Sequence, residues 1–178
     1  MWCSVLDDPA WGNSTIAMKI GVVSDTHNNL VNVREIVRLF NDAGVERVVH
    51  TGDITQAKTL DVLAGLEAPL YGVYGNNDVE RASLDASAAR HGFVFHDPPL
   101  ELLWAGRCIV VVHDPRDLRQ RGVGEHDIAL HGHTHMARCE REQGRLVFNP
   151  GECAGHMKGY NAVGVVDLDT LETTLLKF

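Results

Sequence analysis

The sequence predicts an α/β domain whose sheets mix parallel and antiparallel strands, and three observations carry that expectation. Strand-sized apolar runs alternate with helical periodicity over the first half of the chain. Strand pairs joined by tight turns occupy the second half. The length of 178 residues, 44% of them hydrophobic, suits one domain that buries a real core. A β–α alternation favours parallel pairing and hairpins impose antiparallel pairing, so both occur together.

Each element has its own local reason. Ile20 to Ser24 is a short apolar run that ends in polar residues, as a buried strand does. Val33, Ile36, Val37 and Phe40 recur at i, i+3, i+4 and i+7, which predicts a helix stopped by Gly44. Glu46 to His50 is the second strand, and Leu60, Leu63 and Leu66 mark the inward face of a second helix. Leu70 to Tyr74 is the third strand, followed by a helix over Arg81 to His91 that Gly92 ends. Leu100–Trp104 with Arg107–His113 predicts a hairpin across Ala105-Gly106. Asp127–Leu130 is a further strand. Arg138–Glu142 with Arg145–Phe148, and Val163–Asp167 with Thr173–Phe178, predict two more hairpins. Residues 18–178 read as one domain. Residues 1–17, with Asp7 and Asp8 and no apolar core, read as a disordered extension or a mis-set start and not as a secretory signal.

Composition excludes several function classes. The formal net charge is −8, which argues against an extended nucleic-acid-binding surface. No apolar run approaches the ~18–20 residues of a membrane span. The four cysteines, Cys3, Cys108, Cys139 and Cys153, form no C-x-x-C pair, so reduced thiols and a cytoplasmic location are expected. The signatures G-x-S-x-G, G-x-x-x-x-G-K-[ST] and G-x-G-x-x-G are absent from the chain.

The polar residues fall at strand ends. The first three strands end in Asp25-Thr26-His27, Gly52-Asp53 and Gly75-Asn76-Asn77-Asp78, and later ones at His113 and Gly132-His133-Thr134-His135. Ligands of open α/β sheets collect beyond the carboxyl ends of strands, where several loops converge. Seven oxygen and nitrogen donors without a cysteine suit Mn, Fe, Zn or Co better than a structural thiolate zinc. That number exceeds what one ion needs, so two divalent ions are expected, about 3.5–4 Å apart as in two-metal hydrolases.

This ordered set, D-x-H, G-D, G-N-x-D, a lone His and G-H-x-H, resembles that of the calcineurin-like metallophosphoesterases. The short chain is most similar to their small prokaryotic phosphodiesterase branch, to which the phosphoesterase-like subunit of retromer is related. The resemblance implies a four-layer αββα sandwich of two mixed sheets flanked by helices. It implies that Asp25, His27 and His135 bind one ion and Asn76, His113 and His133 the other. Asp53 and a hydroxide would bridge the two. Mn leads the candidate metals, ahead of Fe, Zn, Co and Ni, and a small phosphate ester is the implied substrate. The activity implied is hydrolysis of phosphate diesters, with a phosphomonoesterase, a protein phosphatase or a non-catalytic scaffold as alternatives. Exposed strands in this branch often pair, so a homo-oligomer stays open.

Two departures from the family pattern matter. Asn77 stands where many members have a histidine that protonates the leaving group, so good leaving groups should be favoured. Asp114 follows His113 where glycine is usual, and it either rearranges a water or caps the turn before Pro115. His50 and His131 read as core or supporting residues, and His91, His96, His126 and His156 as surface residues. Asn149-Pro150-Gly151 reads as a tight turn, Arg81 as a solvated helix face or a phosphate contact, and Cys153 as inert.

Overall fold

Lys19–Val23 forms β1, and every residue after Lys19 in it is buried, as in a strand covered on both faces. A computed structural model describes residues 18–120 and 126–178; the extension expected over residues 1–17 lies outside the described residues. The elements that follow β1 are α1 (Leu30–Ala43), β2 (Arg47–His50), α2 (Ala57–Leu63), β3 (Leu70–Val73) and α3 (Arg81–His91). Then come β4 (Val94–His96), β5 (Leu100–Trp104), β6 (Arg107–Val111), α4 (Arg116–Gln120), β7 (Ile128–Leu130) and β8 (Arg138–Glu142). The chain ends with β9 (Arg145–Asn149), β10 (Ala162–Asp167) and β11 (Thr173–Lys177).

Two mixed sheets result. One runs β11-β10-β1-β2-β3-β4, the other β5-β6-β7-β9-β8. β1 to β4 are mutually parallel, and so are β6, β7 and β9; the remaining pairs are antiparallel. The strand period of two sorts the core. Ile20 and Val22 of β1 face the second sheet, packing with Ile109 and Val111 of β6 and with Leu146 and Phe148 of β9. Val23 faces the other way, against Val33, Ile36 and Phe40 of α1. On the outer side of the second sheet Val110, Val112, Ala129 and Val147 meet Leu118 of α4. The order is therefore helices, sheet, sheet, helix, the layering the resemblance implied.

The differences from the expected elements are small and have physical causes. β4 and α4 were not anticipated: three and five residues are too short to display a period. Leu66 lies beyond the last residue of α2, half-buried against the same core. α1 ends as expected at Gly44, whose φ of 61° is the left-handed cap conformation.

One residue of the shared core sits especially close to the facing sheet. Phe148 of β9 is fully buried, and its ring lies where a side chain on Gly164 of β10 would stand, 2.3 Å from an added Cβ. Phe148→Ala would leave a cavity between two sheets that cannot close independently, at an expected cost of about 3–5 kcal/mol in urea unfolding. A loss below about 1 kcal/mol would show that the sheets collapse over the gap.

His50 ties strand ends together. It is wholly buried; its Nδ1 accepts the Gly52 N–H at 3.1 Å, so its Nε2 carries the hydrogen that faces Thr26 Oγ1 at 3.1 Å. Burial, aided by His113, pushes its pKa from the ordinary 6.5 down to about 3. The folded value lies below the unfolded one. The contribution is therefore complete above pH 6.5 and is lost as the pH falls towards 3, where only the unfolded chain takes up the proton. His50→Asn should be less stable at neutral pH, yet lose less stability than the wild type between pH 6.5 and 4 in parallel urea titrations of metal-free protein. Parallel curves would mean that His50 is protonated in the fold.

Candidate metal centre

Parallel neighbours end on the same edge, so the loops after β1, β2 and β3 meet those after β6 and β7. Cross-links hold the first two together: Asp25 N–H donates to the Gly52 carbonyl at 3.1 Å and His27 N–H to that of Asp53 at 3.0 Å. The backbone is strained to aim these side chains. Asp25 (φ 51°), His27 (39°), Asp53 (59°), His133 (68°) and His135 (57°) all occupy the left-handed region, which non-glycine residues rarely adopt.

One group gathers Asp25, His27 and His135. The Nε2 atoms of the two histidines are 3.3 Å apart, and Asp25 Oδ1 lies 3.9 Å from His27 Nε2 and 3.5 Å from His135 Nε2. Asp25 is buried; its Oδ2 accepts from the Ser24 hydroxyl and from the His133 N–H, while its Oδ1 has no hydrogen-bond donor. Burial raises the Asp25 pKa, against the pull of Ser24 and the nearby rings. Burial also lowers that of His27, against Asp53 and Asp25.

The second group gathers Asn76, His113 and His133. Asn76 Oδ1 is 3.0 Å from His113 Nε2 and 3.0 Å from His133 Nδ1, and the two ring nitrogens are 3.2 Å apart. His113 Nδ1 donates to the Thr51 carbonyl at 2.9 Å, which leaves Nε2 as its lone-pair nitrogen. Asp53 stands between the groups: its Oδ2 is 3.4 Å from His27 Nε2 and 3.4 Å from His113 Nε2. Burial would raise the Asp53 pKa, but His113 and two N–H bonds from Asn77 hold it far below the carboxylate range. Those bonds come from the Asn77 backbone at 2.9 Å and its side-chain amide at 2.7 Å. Burial depresses the His113 pKa, and Asp53 more than compensates, leaving it raised.

All seven expected residues are thus brought together. The donor set fits divalent ions. An undonated buried carboxylate oxygen faces two imidazole nitrogens, and hard oxygen and borderline nitrogen donors converge with no thiolate among them. Glycines in the motifs answer to crowding. A Cβ on Gly75 would lie 2.2 Å from Asp53 Oδ1, and one on Gly132 would lie 1.9 Å from Ser24 Oγ.

The supporting residues refine the sequence reading. Asp78, given no role from sequence, accepts the N–H groups of Asp53, Thr55 and Gly75, at 3.0, 2.6 and 2.7 Å, and so clamps two loops. Asp114 caps the turn: its Oδ1 accepts the Arg116 N–H at 2.9 Å and it pairs with the Arg116 guanidinium, which lowers its pKa to about 2. His131 is buried, its Nδ1 against the Gly132 carbonyl. Asn149 does more than turn the chain, donating to the Gly132 carbonyl and Thr134 Oγ1 at 3.2 and 3.1 Å. Arg81 pairs with Asp97 at 2.7 Å and lies over the Tyr74 ring. The Cys153 thiol is buried, donates to the Ala162 carbonyl and has its pKa raised by burial. His156 is exposed as expected, yet its ring stacks on His135 and lies 5.4 Å from His27. Glu152 was missed altogether; it is buried, and its Oε2 lies 3.5 Å from His135 Nδ1. The only sequence signal for it was its place directly after Asn149-Pro150-Gly151.

Among the described residues, no helix is long and apolar enough to cross a membrane. Comparison with known proteins shows what the chain is similar to. A phosphodiesterase of Methanocaldococcus jannaschii is 33% identical over 159 residues, which span 87% of this chain and 96% of that protein. The structure of an archaeal phosphodiesterase superposes with a TM-score of 0.84 at 31% identity, covering 90% of this chain and all of that one. Vacuolar protein sorting 29 from Cryptosporidium parvum shares the fold, with a TM-score of 0.58 at 19% identity over 91% of this chain and 97% of that one. Residues 18–171 match the calcineurin-like phosphoesterase superfamily domain, and the chain belongs to that superfamily.

Proposed function

We propose that the chain is a phosphodiesterase that works with two divalent ions, Mn first among Mn, Fe, Zn, Co and Ni. One observation carries this reading: a single oxygen of Asp53 faces a ring nitrogen of each histidine group at 3.4 Å. Asp25, His27 and His135 would hold one ion, Asn76, His113 and His133 the other, and Asp53 would serve both. When bound, the ions supply Lewis acidity to the phosphoryl oxygens and a water acidified towards pKa ~7 as the in-line nucleophile.

The chain's own residues set the rest. Asp25 and Asp53 bring two negative charges, and the other five donors are neutral when they ligate, so two divalent ions leave a net positive site. That attracts a phosphate ester to an otherwise acidic protein. Asn77 holds Asp53 charged and oriented but has no proton to give a departing alkoxide. The site therefore favours esters whose leaving groups depart unaided. This supports diesters of stable leaving groups, in line with the archaeal relatives named above. The thiols of Cys108, Cys139 and Cys153 are free, which supports a cytoplasmic location.

Chelator-stripped protein supplied with Mn²⁺, Zn²⁺ or no metal should cleave an activated aryl phosphodiester over its matching monoester, and only with metal. Preference for the monoester would make it a phosphatase, and two bound ions without turnover would make it a scaffold. Asp53→Asn should lose metal and turnover together, by more than the ~10–100-fold that outer-shell exchanges cost. Retention of both ions and full turnover would remove Asp53 from its bridging place.

A further inference from the structure

Resting on that reading of the centre, we propose that Glu152 is a positioning residue for the first ion: its buried carboxylate takes the Nδ1–H of His135 and leaves Nε2 as the nitrogen for the metal. The two nitrogens of this ring look in opposite directions. Nε2 lies 3.3 Å from His27 Nε2 and 3.5 Å from Asp25 Oδ1, among the other donors of the first group. Nδ1 lies 3.5 Å from Glu152 Oε2, on the far side. A carboxylate on the second nitrogen of a ligating imidazole fixes its tautomer and orientation and raises its basicity.

Glu152 is built to stay there. Its side chain has no solvent exposure, and a carboxylate is buried only where donors compensate it. Oε1 accepts the Met157 N–H at 2.8 Å and Oε2 that of His156 at 3.3 Å. Its backbone is held as well: the Glu152 carbonyl accepts from Ala162 N at the start of β10, and the next residue, Cys153, donates to the Asp25 carbonyl at 3.2 Å. The carboxylate is thus anchored to the same segment that carries Asp25. His113, in the second group, is oriented by the neutral Thr51 carbonyl instead. The other ring of that group, His133, has a carboxylate only at 3.8 Å, from Asp114, which is already paired with Arg116. A buried carboxylate behind a ligating ring is thus a feature of the first group, and its loss should weaken one ion and spare the other.

The same residues allow a competing arrangement. His135, Glu152 and His156 offer ligand atoms within 4.8 Å of one another, enough to hold an ion of their own, in which case Nδ1 would ligate and not donate. Stoichiometry and tautomer separate the two. Wild type, Glu152→Gln, Glu152→Ala and His156→Ala would be stripped and titrated with Mn²⁺ alone against a competing chelator. The His135 tautomer would be read from ¹⁵N shifts of the metal-free, histidine-labelled protein.

The expected result is two ions in the wild type, a loss of about 10–100-fold in affinity for one of them in Glu152→Gln, and both affinities unchanged in His156→Ala. In the metal-free wild type His135 should carry its hydrogen on Nδ1. Equal affinities in wild type and Glu152→Gln, a third ion lost with His156, or a hydrogen on Nε2 would each overturn the role. If Glu152→Ala fails to fold, the isosteric Glu152→Gln and the wild-type tautomer still decide the matter. A wild type that takes up no Mn²⁺ would overturn the two-ion reading itself, and the tautomer would still report on Glu152 separately.

Discussion

Keeping Asp53 ionised while it is almost wholly buried is the constraint around which the neighbouring loops are arranged. Withdrawal from water opposes its charge, and the fold answers with two N–H donors, a neighbouring imidazole and a clamp on its backbone. Asn77 supplies two N–H groups, His113 an imidazole, and Asp78 fixes the Asp53 backbone from below. Asp78 is itself a buried carboxylate whose pKa burial raises, and three backbone N–H groups work against that rise. Two buried acids thus share one loop junction. It holds together because the donors come mainly from backbone that β2 and β3 have already placed.

That placement is a consequence of packing elsewhere. β1, β2 and β3 end together because they are parallel neighbours, and β6 and β7 end beside them because the shared apolar core, Phe148 included, holds the sheets face to face. Five candidate ligands in left-handed backbone each cost something of order 1–3 kcal/mol, which only an over-determined surrounding sustains. The apolar core between the sheets supplies that surrounding. Stability built into the core is spent at the strand ends, where the side chains must converge.

The sequence displayed what has a period or an ordered motif. β1 to β3, α1, α3 and the three hairpins stand close to where apolar spacing and turn residues placed them, and all seven candidate ligands came from strand-end motifs. Other features leave no such trace. β4 pairs with β3 through three residues whose sidedness is set only by the partner strand. Glu152 and His156 reach the centre because the chain after β9 folds back under His135, a contact across seventeen or more residues that no local pattern announces. Asp114 illustrates a third kind of limit: its two readings were equally legible, and the structure shows the cap, through the Arg116 N–H at 2.9 Å, while the same carboxylate also lies 3.8 Å from His133 Nε2.

On the proposed assignment the two ion positions are not equivalent, and the difference follows from their surroundings. The first draws on Asp25 and Asp53, two carboxylates only 0% and 1% exposed, with a third, Glu152, behind His135. The second shares only Asp53, and its remaining donors are the neutral Asn76, His113 and His133. Its His133 side chain is 35% exposed, so water competes there more readily. More negative charge in a drier place binds a cation more tightly, provided the ion is present to offset the repulsion between the acids. The first position is accordingly the anchor. The second is the more open side, with Asn76 exposed and a further acid, Asp114, 3.8 Å from His133 but neutralised by Arg116, so an anionic ester meets less buried negative charge there.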